Sequence, residues 1–359
     1  MKILFVVTGL GVGGAENIVV NLADKAKSLG HNVSIVYLTG VANLTPKNKD
    51  IPLHSLGMRN SMDFFKAAIG LRKLIKQYEP DVVHSHMVHA NILSRLVRLL
   101  VRFPRLVCTA HSTNEGGFLR MLTYRITDKL ADITTNVSVE AVKVFESKGA
   151  VPPGRMVSVP NGVDTTRFIQ NIVMRENARS EFGLKELFTL VAVGRLEPEK
   201  DYTNLLHAFR LIVDQKNYVH LLIAGGGSQE TLLKQAAIEL NLTQHISWLG
   251  VRSDIEYVLN AADLFVLSSA YEGFGLVVAE AMSCQINVIA TDCGGVREVV
   301  GQDELLVRPC DSEQLAQRVI AIMEQSETDR ASLGKVLRQR VVDHYSLEAM
   351  FNNYLKLYH

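Results

Sequence analysis

The sequence predicts an α/β protein of two doubly wound domains, and three observations support this prediction. The chain has 359 residues, 47% of them hydrophobic, which is more than one ordinary core accommodates. Short β-branched runs alternate with amphipathic segments of helix length, which is typical of parallel strands joined by crossover helices. A polar stretch after the Pro-Asn-Gly at 160–162 interrupts this alternation. We therefore expect an N-terminal domain over 1–167 and a C-terminal domain over 168–344.

The predicted strands are short apolar runs bounded by turn residues. Those of the N-terminal half are KILFVV, NVSIVYL, DVVHSH, RLVCTAH, ITTNVS and MVSVPNG. The first run follows Lys2, but we interpret it as a strand and not as a secretory signal, because it soon reaches Gly9 and Glu16 leads into an amphipathic helix. Those of the C-terminal half are FTLVAVGRL, VHLLIAGGG, ISWLG, DLFVLSS and NVIATDC.

Charge is distributed unevenly along the chain. Residues 1–170 hold 21 Lys and Arg against 12 Asp and Glu, whereas residues 171–359 hold 17 against 25. A basic half predicts contact with an anionic partner, such as a membrane surface or a phosphate-bearing acceptor. The four cysteines form no CxxC pair, which favours reduced thiols and a cytoplasmic protein. No apolar run approaches the ~20 residues of a membrane span.

A glycine-rich turn follows the first strand. Gly9-Leu10-Gly11-Val12-Gly13-Gly14 matches the G-x-G-x-x-G pattern of dinucleotide sites. An NAD site also requires an acid at the end of the second strand, and VSIVYLTG ends without one. The glycines predict either a close backbone approach to another ligand or only a tight strand-to-helix turn.

The segment GRLEPEK carries two cations between a strand and a helix. Arg195 and Lys200 are therefore expected at the carboxyl edge of the sheet, where α/β proteins bind ligands. Such a pair suits a diphosphate, because each charge-assisted hydrogen bond contributes about 1.5–3 kcal/mol. The alternative is a surface ion pair of Arg195 with Glu197 or Glu199.

The segment AYEGFGLVVAEAM places two glutamates around a helix start. Glu272 precedes the helix, and Glu280 lies about one turn inside it, where its side chain tilts back toward the N-terminus. Gly273 and Gly275 leave backbone N–H groups uncovered beside phosphate or hydroxyl groups of a ligand. Alternatively, both glutamates are only favourable charges at the helix dipole.

These residues complete a resemblance to the retaining glycosyltransferases of family four. Glu272 and Glu280 form its E-x7-E pattern, and the likeness runs from end to end of the chain. The other matching segments are GGAEN, TAHSTNEGG, PNGVDTTRF, GRLEPEKDY, AGGGSQ, WLGVRSDI and TDCGGVREVV. The resemblance implies the GT-B fold, with two facing Rossmann-like domains and a final helix, 345–359, that crosses back to the N-terminal domain.

The resemblance also implies roles for individual residues. The catalytic residues are expected to be His111, Glu272, Arg195 and Lys200, with His111 beside the transferred sugar. His111 could instead be an ordinary histidine at a strand end. The residues expected to bind the donor nucleotide sugar are Gly13, Gly14, Arg195, Lys200, Leu249, Arg252, Glu272, Gly273, Phe274, Gly275, Leu276 and Glu280.

No metal ion or other cofactor is expected. His84, His86 and His89 form a histidine-rich turn, but no second cluster of ligands accompanies it. His86 is predicted instead to line the acceptor cleft. The sequence contains no D-x-D triplet, the metal motif of other transferases, so the resemblance implies metal-independent catalysis.

The expected reaction is transfer of a hexosyl or N-acetylhexosaminyl unit from a nucleoside diphosphate, UDP in preference to GDP, to a glycan or polyprenyl-diphosphate-linked acceptor. Retention of configuration and a place in surface-polysaccharide synthesis are implied by the resemblance. The alternatives are a GT-B epimerase, an NAD-dependent dehydrogenase and a non-catalytic binding module. No nucleic-acid partner is expected.

A basic stripe in ILSRLVRLLVRFPRL suggests peripheral contact with the inner face of the membrane. Its arginines recur at helical spacing among leucines and valines, which favours an anionic lipid surface. They are Arg95, Arg98, Arg102 and Arg105. The stripe could equally be the solvated face of a crossover helix.

Overall fold

The computed structural model describes residues 1–11, 13–113 and 117–359, with only the backbone at residue 61. Val12 of the glycine-rich turn and residues 114–116 of the TAHSTNEGG motif lie outside the described residues. The chain forms two compact units. The N-terminal unit comprises Met1–Gly162 and Leu347–His359, and the C-terminal unit comprises Val163–Ser346.

The boundaries of the units differ by a few residues from those expected at 167 and 345. Val163 forms a bridge with Ser346, and its N–H donates to the carbonyl oxygen of Tyr345 at 2.7 Å. The Arg338 guanidinium also donates to the carbonyl oxygen of Thr165 at 3.3 Å. The segment that follows Gly162 is therefore held by the C-terminal unit.

The described part of the N-terminal unit contains a parallel sheet of seven strands in the order β3-β2-β1-β4-β5-β6-β7. Its strands are β1 (Lys2–Gly9), β2 (Asn32–Thr39), β3 (Leu53–Met58), β4 (Val82–His86), β5 (Arg105–Thr109), β6 (Ile133–Asn136) and β7 (Met156–Ser158). β1 is buried from Ile3 to Val7, as expected for a strand covered on both faces. The edge strand β3 was not predicted.

Helices connect these strands and cover both faces of the sheet. They are α1 (Gly14–Ser28), α2 (Phe64–Tyr78), α3 (Val88–Val97), α4 (Phe118–Thr127) and α5 (Val139–Ser147). Apolar side chains of α2, including Leu71 and Ile75, pack with those of α3 against the sheet. Short 3-10 turns occupy Ser61–Asp63 and Asp128–Leu130.

The described part of the C-terminal unit contains a parallel sheet of six strands in the order β10-β9-β8-β11-β12-β13. Its strands are β8 (Phe188–Val193), β9 (Val219–Ala224), β10 (Ile246–Gly250), β11 (Leu264–Leu267), β12 (Asn287–Thr291) and β13 (Leu306–Val307). Its helices are α6 (Ile172–Glu181), α7 (Tyr202–Gln215), α8 (Glu230–Glu239), α9 (Ile255–Ala261), α10 (Leu276–Ser283), α11 (Val296–Val300), α12 (Ser312–Met323) and α13 (Glu327–Tyr345). Short 3-10 turns occupy Pro198–Lys200, Thr243–His245 and Asp303–Leu305.

The final helix, α14 (Leu347–Tyr358), belongs to the N-terminal unit. Its buried tyrosines, Tyr354 and Tyr358, reach the sheet, where the Tyr358 hydroxyl lies 2.7 Å from Nδ1 of His84. The Arg105 guanidinium donates to the carbonyl oxygen of Leu357 at 2.9 Å. The crossing helix that the resemblance implies is therefore present.

Candidate active site

The predicted donor residues of the C-terminal unit lie on the loops that follow β8 and β11. These strands are neighbours, and the strand order reverses between them. Ligands of open α/β sheets bind beyond the carboxyl ends of the strands at such a reversal. The loop after β8 carries Arg195 and Lys200, and the loop after β11 carries Glu272.

Lys200 and Glu272 form an ion pair in this structure. The Lys200 ammonium contacts Oε1 of Glu272, to which the Ser269 hydroxyl also donates at 3.0 Å. Both charged side chains are largely buried. The Ser268 hydroxyl donates to the carbonyl oxygen of Lys200 at 2.9 Å and so ties the two loops together. Each charge of the pair therefore compensates the desolvation of the other.

Arg195 has a different environment. Its side chain is 71% exposed, and its guanidinium donates to Oε1 of Glu199 at 2.6 Å. This is the surface ion pair considered as the alternative for the GRLEPEK segment. Exposed pairs at this spacing contribute only about 0.3–0.5 kcal/mol. Breaking the pair with Glu199 therefore costs little when the Arg195 guanidinium binds a more highly charged anion.

Two close backbone contacts hold the loops of this edge together. Gly225, at the end of β9, lies against the loop after β8, and a Cβ on it would stand 1.8 Å from the carbonyl oxygen of Gly194. Gly294, beyond β12, has a φ of +54°, and a Cβ on it would stand 1.8 Å from the carbonyl oxygen of Glu272. Only glycine permits these approaches, which set the positions of the loops that carry Arg195 and Glu272.

The start of α10 presents backbone groups and not the Phe274 ring. Gly275 occupies the N-cap without a side-chain cap, and Leu276 is the first helical residue. The Phe274 ring is buried and packs edge-on against Tyr345, with 5.5 Å between ring centroids. A ligand at Gly273–Leu276 could therefore contact the backbone at Phe274 but not its side chain.

Glu280 lies one turn into α10 and is partly buried. Burial raises the pKa of its carboxyl to about 8, the positive charge of Arg167 opposes that rise, and Glu256 adds to it. Arg167 itself donates to Glu256 at 2.6 Å. Arg167 was not among the residues expected at the site, although it lies in the PNGVDTTRF segment that carries part of the resemblance.

Leu249 and Arg252 lie at and beyond the carboxyl end of β10. The Arg252 guanidinium donates to both carboxylate oxygens of Asp254, at 2.8 and 2.5 Å, and stacks 5.4 Å from the ring centroid of Phe182. Leu249 is partly exposed. Their role in binding a nucleobase stays a prediction.

In the N-terminal unit, Gly13 is the N-cap of α1 and Gly14 its first residue. A Cβ on Gly13 would stand 2.4 Å from Oε2 of Glu16, whereas one on Gly14 would meet open space. Burial raises the pKa of Glu16. The carboxyl of Glu16 therefore lies beside Gly13 at the start of α1. Protonation of Glu16 would remove its negative charge and so favour the binding of a diphosphate there.

His111 follows β5 and is partly buried. Its Nε2 lies 3.0 Å from Nδ1 of His86, the last residue of β4. Burial lowers the pKa of His111 to about 4. His111 is therefore a neutral imidazole at physiological pH.

His86 is fully buried, so the prediction that it lines an acceptor cleft is wrong. The strand alternation does not expose it, because β4 lies in the middle of the sheet. His84 is also buried, and its ring nitrogens bond to Tyr358 and Thr109, each at 2.7 Å. Across the described residues, no cluster of three or more His, Cys, Asp or Glu side chains is arranged to hold a metal ion.

The basic stripe predicted over 95–105 is also wrong, because its arginines serve the fold. Arg95 is fully buried and donates to Thr134 at 2.8 Å, 3.5 Å from the Asp128 carboxylate. Arg98 pairs with Asp132 at 2.6 Å. Arg105 donates to the carbonyl oxygen of Leu357 in α14. Arg102 is the member of the stripe that stays exposed.

No helix within 1–11, 13–113 and 117–359 combines the length and apolar character needed to cross a bilayer.

Comparisons with known proteins identify the family of the chain. The family model "Glycosyltransferase Family 4" matches residues 12–167, and "Glycosyl transferases group 1" matches residues 174–340. The UDP-Gal:alpha-D-GlcNAc-diphosphoundecaprenol alpha-1,3-galactosyltransferase of Escherichia coli is 27% identical over 82% of this chain and 79% of its own. The N-acetyl-alpha-D-glucosaminyl L-malate synthase of Bacillus anthracis is 22% identical over 97% and 94%.

Solved structures share the fold over nearly the whole chain. A glycosyltransferase from Rickettsia africae ESF-5 has a TM-score of 0.88 at 22% identity, covering 99% of this chain and 97% of its own. Anabaena Alr3699/HepE in complex with UDP has a TM-score of 0.85 at 20% identity, covering 99% of each. With both halves matched by glycosyltransferase family models and the fold shared with these structures, the chain is a family 4-type glycosyltransferase of the GT-B fold, which transfers sugar from a nucleotide sugar.

Proposed function

We propose that this enzyme transfers a hexosyl or N-acetylhexosaminyl unit from UDP to a hydroxyl group of a lipid-linked glycan, with retention of configuration. The observation that carries the proposal is the buried Lys200–Glu272 pair at the strand-order reversal, beside the exposed Arg195. The names of related proteins favour UDP. The E. coli relative uses UDP-Gal with a diphosphoundecaprenol acceptor, and structures of Anabaena Alr3699/HepE contain UDP and UDP-glucose.

In the proposed mechanism, the ion pair between Lys200 and Glu272 is broken when the donor binds. The diphosphate draws the Lys200 ammonium away from Glu272, and Arg195 leaves its weak exposed pair with Glu199 for the same anion. Glu272, released from Lys200, then accepts a hydrogen bond from a hydroxyl of the sugar. Before the donor binds, the charge of each side chain thus compensates that of the other. On binding, the diphosphate replaces Glu272 as the partner of Lys200, and a sugar hydroxyl replaces Lys200 as the partner of Glu272.

Departure of the diphosphate is the step that these cations assist. As the anomeric C–O bond breaks, negative charge grows on the β-phosphate oxygen, where Lys200 and Arg195 stabilise the transition state more than the ground state. The acceptor oxygen attacks the oxocarbenium-like carbon on the face that the diphosphate leaves, so configuration is retained. The acceptor's proton passes to the departing phosphate oxygen, and no covalent enzyme intermediate is needed.

We also propose that the reaction needs no metal ion, because two protein cations neutralise the diphosphate. A panel of radiolabelled UDP- and GDP-sugars, assayed with polyprenyl-diphosphate-linked acceptors in EDTA, tests both parts of the proposal. Transfer from one UDP-sugar, unchanged by EDTA, supports them. Transfer only after Mg²⁺ or Mn²⁺ is restored contradicts metal independence, and acceptor-independent conversion of the sugar would indicate an epimerase.

The acceptor proposal predicts contact with the cytoplasmic face of an anionic membrane, and α2 offers the surface for it. The outward side of α2 carries Phe65 and Ile69, which are 80% and 66% exposed. Four cations, Lys66, Arg72, Lys73 and Lys76, accompany them without an acid in the helix. Each cation near such a surface contributes roughly 1 kcal/mol, while the apolar side chains enter the headgroup layer.

Flotation with liposomes tests this surface. We expect the protein to float with vesicles containing phosphatidylglycerol and not with phosphatidylcholine alone, and to lose binding in Lys73→Glu/Lys76→Glu. The matched control, Lys143→Glu/Lys148→Glu, reverses two exposed cations on and beside α5 and should float like the wild type. Equal flotation of both double variants would contradict an α2 contact.

A further inference from the structure

Arg167 binds the loop after β10, in which part of the nucleobase pocket is expected. Its guanidinium donates to the carbonyl oxygen of Ser253 at 2.7 Å, and Ser253 is the neighbour of Arg252. The same guanidinium nitrogen donates to Oε2 of Glu256 in α9 at 2.6 Å. Arg167 therefore ties the loop over 251–254 to the helix that follows it.

The residue after Arg167 is held against α10, the helix that carries Glu280. The carbonyl oxygen of Phe168 accepts from the Ser283 hydroxyl at 2.6 Å and from the Arg338 guanidinium at 3.1 Å. Ser283 lies three residues after Glu280, so the two side chains share one side of the helix. Arg167 is thereby placed on the Glu280 side of α10, and its own side chain stays 38% exposed.

Two charged side chains act on the Glu280 carboxyl in opposite directions. Burial raises the pKa of Glu280 to about 8, the positive charge of Arg167 opposes the rise, and Glu256 adds to it. Other charged side chains on the segments around α10 interact with groups other than Glu280: Asp164 and Asp254 with Arg167, Arg338 with Cys284, Arg297 with Asp292, and Arg340 with backbone carbonyl oxygens. Replacement of Arg167 or Glu256 should therefore change the ionisation of Glu280.

We propose that Arg167 is a positioning residue for the nucleoside part of the donor: its guanidinium holds the 251–254 loop through Ser253 and supplies the positive charge beside Glu280. A carboxylate accepts hydrogen bonds from both ribose hydroxyls, whereas a protonated carboxyl carries an O–H that itself needs an acceptor. The ionised form of Glu280 therefore suits the ribose, and Arg167 increases its population. This proposal rests on the proposed function for the ribose contact, but the ionisation of Glu280 can be measured without any ligand.

Carboxyl ¹³C spectra of glutamate-labelled protein, recorded against pH, measure that ionisation in the free protein. The Glu280 signal is identified by its loss in Glu280→Gln. Arg167→Gln and Glu256→Gln break the same ion pair but remove charges of opposite sign, so the titration midpoint of Glu280 should rise in the first variant and fall in the second. Midpoints that move in the same direction, or an unchanged midpoint in Arg167→Gln, would overturn the proposal, because loss of the pair as a structural contact affects both variants alike.

Arg167→Lys retains the positive charge and should keep the Glu280 midpoint close to that of the wild type. This variant decides the question if Arg167→Gln does not fold. A midpoint raised in Arg167→Lys although the charge is retained would contradict the electrostatic role of Arg167.

Calorimetric titration with UDP then shows whether the ionisation matters for binding. At pH 7, Arg167→Gln should bind UDP about 3–10-fold more weakly than the wild type, because a smaller fraction of Glu280 is ionised. The control is Arg210→Gln, which removes a half-buried cation that also bonds to a carboxylate, Asp214, and should bind UDP like the wild type. Unchanged UDP affinity in Arg167→Gln, despite the expected rise of the Glu280 midpoint, would contradict the ribose contact of Glu280 and not the electrostatic role of Arg167.

Discussion

At the carboxyl edge of its sheet the N-terminal unit presents neutral imidazoles, whereas the C-terminal unit presents paired charges. His86 and His111 share one hydrogen bond in a buried setting that lowers the pKa of both. Lys200 and Glu272 form an ion pair, and Arg195 holds an exposed one. Both sheets are parallel, but the carboxyl edge of one carries neutral rings and that of the other carries paired charges.

Topology therefore sets the position of a site in each unit, whereas local burial and charge decide its chemistry. Cations with replaceable partners suit a ligand that arrives with two or more negative charges. Neutral imidazole rings suit hydroxyl groups, because each ring offers one hydrogen-bond donor and one acceptor. The C-terminal unit is accordingly suited to the diphosphate and the N-terminal unit to hydroxyl groups.

The largest effect on activity is expected from replacing Lys200. Lys200→Ala should lower kcat about 10²–10³-fold, because it removes a cation aimed at developing charge and leaves Glu272 without its partner. Steady-state kinetics with a radiolabelled UDP-sugar measure the loss. The control is Lys216→Ala, which breaks the ion pair of a half-buried lysine with the exposed Glu324 in the same unit and should leave kcat unchanged. A rise in KM alone would show that Lys200 gives only uniform binding.

The neutral histidines predict that acid destabilises the N-terminal unit. The pKa of His111 is about 4, against an ordinary value of 6.5, so between these values the unfolded chain binds more protons than the native state. Stability should therefore fall as pH drops from 6.5 toward 4, by about 1 kcal/mol for this histidine between pH 7.5 and 5.5. Thermal unfolding of the wild type and His111→Asn over this range should show a shallower loss in the variant; parallel curves would contradict it.

Most of the fold could be predicted from the sequence. The strands with continuous apolar runs were all identified, because burial on both faces leaves a clear pattern. β3 has partly exposed positions and Gly57, and β13 has two residues, so neither carries that pattern. The crossing helix α14 came from the family resemblance and not from periodicity, which does not tell where a terminal helix packs.

The candidate site could be predicted only as a set of positions. The sequence placed Lys200 and Glu272 each on a strand-to-helix loop but could not show that they pair with each other, since that depends on β8 and β11 being neighbours in the sheet. It showed arginines at helical spacing over 95–105, yet Arg95 in α3 is buried beside Asp128, an acid from a distant segment. Partners brought together by tertiary packing leave no local signal.

Glu280 predicts the opposite pH effect in the C-terminal unit. Its pKa is raised from 4.5 to about 8, so between these values the native state binds more protons than the unfolded chain. The stability contribution of Glu280 is present at low pH and is lost as pH rises toward 8. Glu280→Gln should therefore raise Tm relative to the wild type at pH 8.5, with a smaller difference at pH 5. Arg167, which opposes the shift, and Glu256, which adds to it, are unchanged in the variant.

Binding of UDP provides a second test of Glu280. If the ribose hydroxyls donate to this carboxylate, bound UDP favours the ionised form, and UDP should stabilise the wild type more at pH 8.5 than at pH 6. In Glu280→Gln this pH dependence of the stabilisation by UDP should be absent, because position 280 no longer titrates. The same pH dependence in both proteins would mean that a group other than Glu280 causes it.

The smallest effect is expected from Glu199, and it separates the two kinds of charge in the C-terminal unit. Glu199→Ala removes the exposed partner of Arg195, and pairs of this type contribute about 0.3–0.5 kcal/mol, so Tm should hardly move. In this variant the Arg195 guanidinium does not have to break an ion pair before it binds the diphosphate. KM for the UDP-sugar should therefore stay the same or fall up to about twofold. A large loss of kcat would mean that Glu199 itself contacts substrate and that its pair with Arg195 persists in the substrate-bound enzyme.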